Sequence, residues 1–245
     1  MADVAPTIAE LVGFQGPLTT TGRALDDALV PRPQTRPGLV ITVVWDGGGW
    51  NVLRAHRERW PFLRRLLARC SSYPRMDTGS APTMTAPIHT TLGTGVFPRR
   101  HGVPALKVRG GYGDYIDPLL FADPSTIRIP TLADVYDRRR SNRPLVGLLG
   151  SSNWHLGMIG HGSSFPGGDF DTVVLVDEFG TTRTYPELYS LPAIEDADVR
   201  ARLDHRLDAS DGELDDKWDG ARLEHIQARN GSLLRWSTNS GSSSD

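Results

Sequence analysis

Seven residues constrain the fold more than any others: Leu39-Val40-Ile41-Thr42-Val43-Val44-Trp45. The run is nearly all apolar and β-branched, so it reads as a strand. It shows no alternation of polar and apolar residues. A strand without alternation is buried on both faces, as in a parallel sheet covered by helices. Asp46-Gly47-Gly48-Gly49 ends it. From Pro61 on, Phe62, Leu63, Leu66, Leu67 and Cys70 share one helical face, and Arg64, Arg65 and Arg69 face water. Cys70 then reads as a small buried hydrophobe. Pro87 and Gly95 bracket a short helix. Another helix, from about Pro130, carries Leu132, Val135 and Tyr136 as its apolar face and ends in Arg138-Arg139-Arg140. Leu145 to Leu149 and Val173 to Val176 are further strands. Strands alternating with helices predict an α/β fold with a mainly parallel sheet flanked by helices.

The pattern divides the chain into three parts. Residues 1–37, with the proline-spaced stretch from Pro31 to Pro37, read as a peripheral N-terminal arm or strap outside the core. Residues 38–194 hold the α/β domain. Residues 195–245 read as an acidic segment and a flexible tail. Between Glu195 and Asp219 stand ten acidic and four basic side chains. A calcium loop there fails, because Asp208-Ala209-Ser210-Asp211-Gly212 puts Leu207 and Ala209 where the first two carboxylates belong.

Charge narrows the function classes. Lys+Arg 27 against Asp+Glu 29 leaves a net charge of −2. That argues against a general nucleic-acid binder, which needs a basic surface. A single cysteine excludes an intrachain disulfide and a zinc ribbon. No apolar run reaches membrane-span length, and the first residues lack a basic start followed by an apolar stretch. The expectation is a cytoplasmic protein with no membrane partner.

Most familiar catalytic motifs are missing, and lysine occurs only at 107 and 217. What remains is one carboxylate and one hydroxyl segment. Asp46 closes the best strand, at the sheet edge where open α/β folds bind ligands. Asp-Gly is equally a turn dipeptide. Thr85 lies beside the helix opened by Pro87, where unpaired N–H groups suit an anion. Thr83 or Thr85 could equally be the N-cap. With no adjacent base in sequence, a metal ion is the natural activator of the hydroxyl. His89, His101, His155 and His161 are candidates either for ligation or for core hydrogen bonds.

The stretch from Ser80 to Val103 contains Pro82-Thr83-Met84-Thr85-Ala86-Pro87-Ile88-His89, then Thr94-Gly95, Pro98 and His101-Gly102. It resembles the nucleophile segment of the type I phosphodiesterase/nucleotide pyrophosphatase family, part of the alkaline phosphatase superfamily. The resemblance runs from about Gly38 to about Val176 and implies an alkaline-phosphatase-like α/β fold. It implies a hydrolase of small-molecule phosphate esters that works by in-line displacement at phosphorus. By the same resemblance Thr85 is the nucleophile, Asp46 and Thr85 are metal ligands, and the cofactor is a pair of divalent ions, usually zinc. His89, His155 and His161 are candidates for lining the site.

The pattern also departs from that family. Leu106 stands where an Asn is expected after His101-Gly102. The later ligands are absent as motifs: no histidine has an Asp four residues before it, and the one Asp-His pair, Asp204-His205, falls in the acidic segment. Two ligands cannot hold two zinc ions. The expectation is therefore an incomplete fold, the front part of such an enzyme, with a catalytically inactive remnant as the alternative.

Overall fold

A computed structural model describes residues 1–14, 19–29, 35–81, 83–176, 181–193, 225–227 and 233–235. The acidic stretch 195–219, with Asp204-His205 and the rejected calcium loop, lies outside the described residues. So do the tail 237–245, residues 30–34 of the strap, and Pro82.

The centre of the molecule is a helix, not the first strand. The helices are α1 (Val4–Leu11), α2 (Trp50–Ala55), α3 (Pro61–Leu67), α4 (Thr85–Thr94), α5 (Pro98–His101) and α6 (Leu132–Arg139). In α4 every residue from Ala86 to Thr94 is buried. Three threonines there would strand their hydroxyls, but each folds back onto the preceding turn. Thr90, Thr91 and Thr94 donate to the carbonyls of Ala86, Pro87 and Thr90 at 2.6–2.9 Å. Gly95 ends the helix at φ 70° with its N–H bonded to Thr91 O. Glycine also sets the packing distance. A Cβ on Gly93 would stand 2.3 Å from Gly157 O, so α4 lies directly against the 3-10 helix Asn153–Met158.

The strands β1 (Val108–Arg109) and β2 (Tyr115–Ile116) form a small antiparallel pair. A three-stranded sheet joins β3 (Gly147–Gly150), β4 (Thr172–Val176) and β5 (Thr182–Arg183) in that order. β3 and β4 run parallel with Leu148 opposite Val173, and β4 and β5 run antiparallel. β6 (His225–Gln227) pairs with β7 (Leu233–Arg235). The architecture is mixed α/β, consistent with an incomplete alkaline-phosphatase-like fold, although the sheet is mixed where a mainly parallel one was expected. The core gathers Ala86, Val103, Leu119, Leu156, Val173 and Tyr189 around α4 and β4. Burying each of the larger aliphatic side chains stabilises the fold by about 1.5–3 kcal/mol.

Four further expectations need correction. Leu39 to Trp45 forms no strand and pairs with no described strand. Leu39, Ile41 and Val43 are 72–75% exposed. A doubly buried strand needs a neighbour on each edge and cover on each face, and the described residues supply neither. The helix at Pro61 forms but buries nothing, and Cys70 is exposed. The N-terminal arm is not peripheral throughout, because α1 buries Ala5 and Ala9. On α6 the buried residues are Asp134 and Asp137, while Leu132, Val135 and Tyr136 are only half-buried. Thr131 caps α6 in a reciprocal capping box with Asp134, and this turns the carboxylate face inward.

Candidate active site

Asp46 leaves the Leu39 to Trp45 segment at a tight turn in which Gly48 N–H donates to Trp45 O at 3.0 Å. Gly47 takes φ 69°, a conformation that favours glycine. The turn directs the Asp46 carboxylate toward the start of α4. There Thr85 Oγ1 donates to Asp46 Oδ2 at 2.8 Å. Thr85 is the first helical residue, and the N-cap is Met84, not Thr83 or Thr85. The first helical hydrogen bond runs from Ile88 N–H to Met84 O, and Pro87 has no N–H. The N–H groups of Thr85 and Ala86 are therefore left without helical acceptors beside the Thr85 hydroxyl. That end of a helix favours negative charge.

One turn into α4, His89 meets His155. Their Nδ1 atoms lie 2.8 Å apart, so one ring carries the proton that the other accepts. Burial pushes the His89 pKa down to about 4, helped by the charge of His155 and opposed by Asp46. Burial also lowers the pKa of His155, again against Asp46. The pair is thus neutral at neutral pH, and both rings feel the Asp46 carboxylate. Asp46 and His155 line one cleft of about 1020 Å³, which also runs along Val4, Leu92, Tyr136 and Leu148.

The other two histidines serve the scaffold. His101 Nδ1 accepts from Val103 N–H at 3.2 Å, so Nε2 holds the proton and donates to Thr91 Oγ1 at 3.1 Å. Burial lowers its pKa to about 4 against the Pro87 carbonyl. His161 was a site-lining candidate, and the structure uses it elsewhere. Its Nδ1 donates to Asp134 Oδ2 at 2.7 Å and its Nε2 to Ile127 O at 2.8 Å. Burial works against the charge, but the Asp134 carboxylate and the Ile127 carbonyl outweigh it and raise the pKa. Two N–H donors define an imidazolium, and its negative partner is Asp134, not Asp46. Leu106, at the expected Asn position, packs against the core.

A two-zinc centre needs more donors than this site offers. A catalytic zinc rests on about three protein ligands. Asp46 and Thr85 supply two oxygens, and the Nδ1 atoms of His89 and His155 are turned toward each other. Among the described residues, no group of three His, Cys, Asp or Glu donor atoms closes around Asp46. The residues present do not fit two zinc ions. The compact acidic group lies elsewhere, at Asp137, Asp169 and Asp171. Sequence reading missed it because α6 was assigned the opposite buried face. The signal was Asp169-Phe170-Asp171 directly before β4, with Asp134 and Asp137 one turn apart on α6.

The arrangement brings a hydroxyl, a carboxylate and the free N–H groups of a helix start together. Residues 40–125 match the family described as type I phosphodiesterase / nucleotide pyrophosphatase, so the N-terminal portion of the chain carries that family's pattern. No curated protein and no solved structure matches the chain. No helix among the described residues is long and apolar enough to cross a membrane.

Proposed function

We propose that the chain is a phosphate-ester hydrolase of the phosphodiesterase type, acting on small-molecule esters with Thr85 as nucleophile. The observation that carries this reading is the 2.8 Å hydrogen bond from Thr85 Oγ1 to Asp46 Oδ2 at the start of α4, inside the segment that matches the phosphodiesterase family. The N–H groups of Thr85 and Ala86 would hold the phosphoryl oxygens as charge builds on them. In the first step the Thr85 Oγ1–P bond forms and the P–O bond to the leaving group breaks. Asp46 accepts the Thr85 proton as general base, and the leaving oxygen takes a proton from water. In the second step a water oxygen bonds to phosphorus as the Thr85 Oγ1–P bond breaks, the water's proton passes to the hydroxide left by the first step, and Asp46 returns its proton to Thr85 Oγ1. The cleft beside Asp46 would receive the organic part of the ester.

The test compares wild type, Thr85→Ala, Thr85→Ser and Asp46→Asn on aryl phosphate mono- and diesters, with and without added divalent ions. The reading expects loss of turnover in Thr85→Ala and Asp46→Asn and partial retention in Thr85→Ser. Equal rates in wild type and Thr85→Ala would discard it. A second reading, a catalytically inactive remnant, is favoured by the exposed Leu39 to Trp45 segment and by the incomplete donor set. It expects no turnover under any metal.

A further inference from the structure

Three carboxylates meet where the last turn of α6 approaches the start of β4. One oxygen each of Asp137, Asp169 and Asp171 lies within 4.8 Å of the others. Asp137 is 4% and Asp171 7% exposed, while Asp169 is partly exposed. Carboxylates are almost never buried without a cation. Among the described residues no Lys, Arg or His side chain pairs with them, and the buried ion pair nearby, Asp134 with His161, is already complete.

Two observations separate this group from an ordinary acidic patch. No hydrogen bond or ion pair among the described residues reaches the Asp171 side chain, although it is over nine-tenths buried. In addition, Asp137 Oδ1 is fully buried with no hydrogen-bond partner. An orphaned buried carboxylate oxygen costs several kcal/mol unless a cation completes it. The backbone holds the arrangement. Asn142 N–H donates to Asp137 O, and Asn142 Nδ2 donates to Gly167 O at 3.1 Å, tying the end of α6 to the loop that carries Asp169. Asp171 N–H donates to Asp169 O at 3.1 Å, and Ser190 N–H donates to Asp171 O at 2.8 Å. The lack of a counter-charge has the expected effect. Burial, then the Asp169 side chain, raises the Asp137 pKa to about 7. Burial, then the neighbouring aspartates, raises that of Asp171 to about 8.

The geometry points to a divalent-cation site for calcium at Asp137, Asp169 and Asp171, separate from the Asp46–Thr85 pair. All donors are hard carboxylate oxygens, which suits calcium, magnesium or manganese over zinc. Coordination then favours calcium, which accepts irregular oxygen cages, while magnesium demands a near-ideal octahedron at about 2.1 Å. Partly exposed Asp169 leaves room for the waters that complete the calcium shell. The ion would pin α6 to the β4 edge and support the fold without touching phosphate chemistry.

The experiment titrates calcium chloride into the chelator-treated full chain, followed by calorimetry and by thermal unfolding. The expected result is one saturable site per chain and a rise in melting temperature, with a weaker response to magnesium. Asp169→Asn, which keeps a polar side chain of the same shape beside Asp137, loses both responses while keeping the metal-free melting temperature. Asp171→Asn loses the calcium response and melts no lower than metal-free wild type, because it removes an unneutralised charge. Asp46→Asn keeps the full calcium response, so a failure of the hydrolase reading leaves this result intact. Either of two results overturns the site. One is no heat and no melting shift at millimolar calcium, which would mean the carboxyls are held by shared protons. The other is wild-type calcium binding in both Asp169→Asn and Asp171→Asn.

Discussion

Replacing Gly93 with alanine sets two magnitudes against each other. In a helix interior, alanine is better than glycine by about 1 kcal/mol, so propensity alone predicts a more stable protein. The packing predicts the reverse. A Cβ at 93 would lie 2.3 Å from Gly157 O, 2.8 Å from Met158 Cα and 2.9 Å from Met158 O. All three are backbone atoms, so no side chain can swing aside. The Asn153–Met158 helix must move by about 1 Å to restore ordinary contact distance. Overpacking of this kind costs about 1–3 kcal/mol, and more where the obstacle is rigid. The net expectation is destabilisation of about 1 kcal/mol, a fall in melting temperature of roughly 2–4 °C for a chain of this size. Urea and thermal unfolding followed by circular dichroism read it directly. Gly111→Ala is the control: nothing lies within 4 Å of its added Cβ, so it stays within about 0.5 kcal/mol of wild type. A Gly93→Ala protein as stable as wild type, or more so, would refute the packing argument.

Other outcomes follow from the same structure. His89 and His101 sit in the fold with pKa values lowered to about 4. Their unfolded forms bind protons near the ordinary value of 6.5, so their contribution to stability is complete above that value and is lost as pH falls from about 6.5 through 4. Urea midpoints should drop over that window, and less steeply in His89→Gln. His161 has the opposite sign. Its raised pKa gives stability that is complete below about 6.5 and fades as pH rises through the folded value, so His161→Gln should cost most at pH 6 and least at high pH. Asp134→Asn removes the negative partner of His161 and leaves one acceptor oxygen where Thr131 and His161 now share two, and it should cost about 3–5 kcal/mol by chemical denaturation. The exposed Leu39, Ile41, Val43 face is an association hazard. Sedimentation should show wild type self-associating and an Ile41→Lys, Val43→Lys variant doing so less.

The parts of the fold legible in sequence were those governed by local signals. Pro87 and Gly95 marked α4 because a proline near the start and a left-handed glycine at the end are local requirements. Val173 to Val176 is recovered in β4 because a short buried apolar run has few alternatives. Leu39 to Trp45 had the same composition and remains unpaired, since composition states a demand for neighbours and cannot supply them. The face of α6 was misread for a related reason. Periodicity assigns burial to apolar residues, but Thr131 and Asp134 close a capping box and the carboxylate side turns inward. Of the site, Asp46 and Thr85 could be named from sequence, and they meet in space across 39 positions. His155 was named as a weaker candidate and meets His89. His161 was drawn away by Asp134, a through-space partner with no trace in sequence spacing. The Asp169-Phe170-Asp171 signal alone does not reveal the Asp137, Asp169, Asp171 group, because the group joins a helix end to a loop about thirty residues on.

Trapping is the most direct test of the central claim, that Thr85 attacks phosphorus. The full chain is mixed with an aryl phosphodiester, quenched in acid and digested, and the peptide carrying Thr85 is weighed and fragmented by mass spectrometry. The account predicts a phosphoryl adduct on Thr85 that accumulates with substrate and is absent from Thr85→Ala. Steady hydrolysis with an unmodified Thr85 peptide, at a rate unchanged in Thr85→Ala, would contradict it.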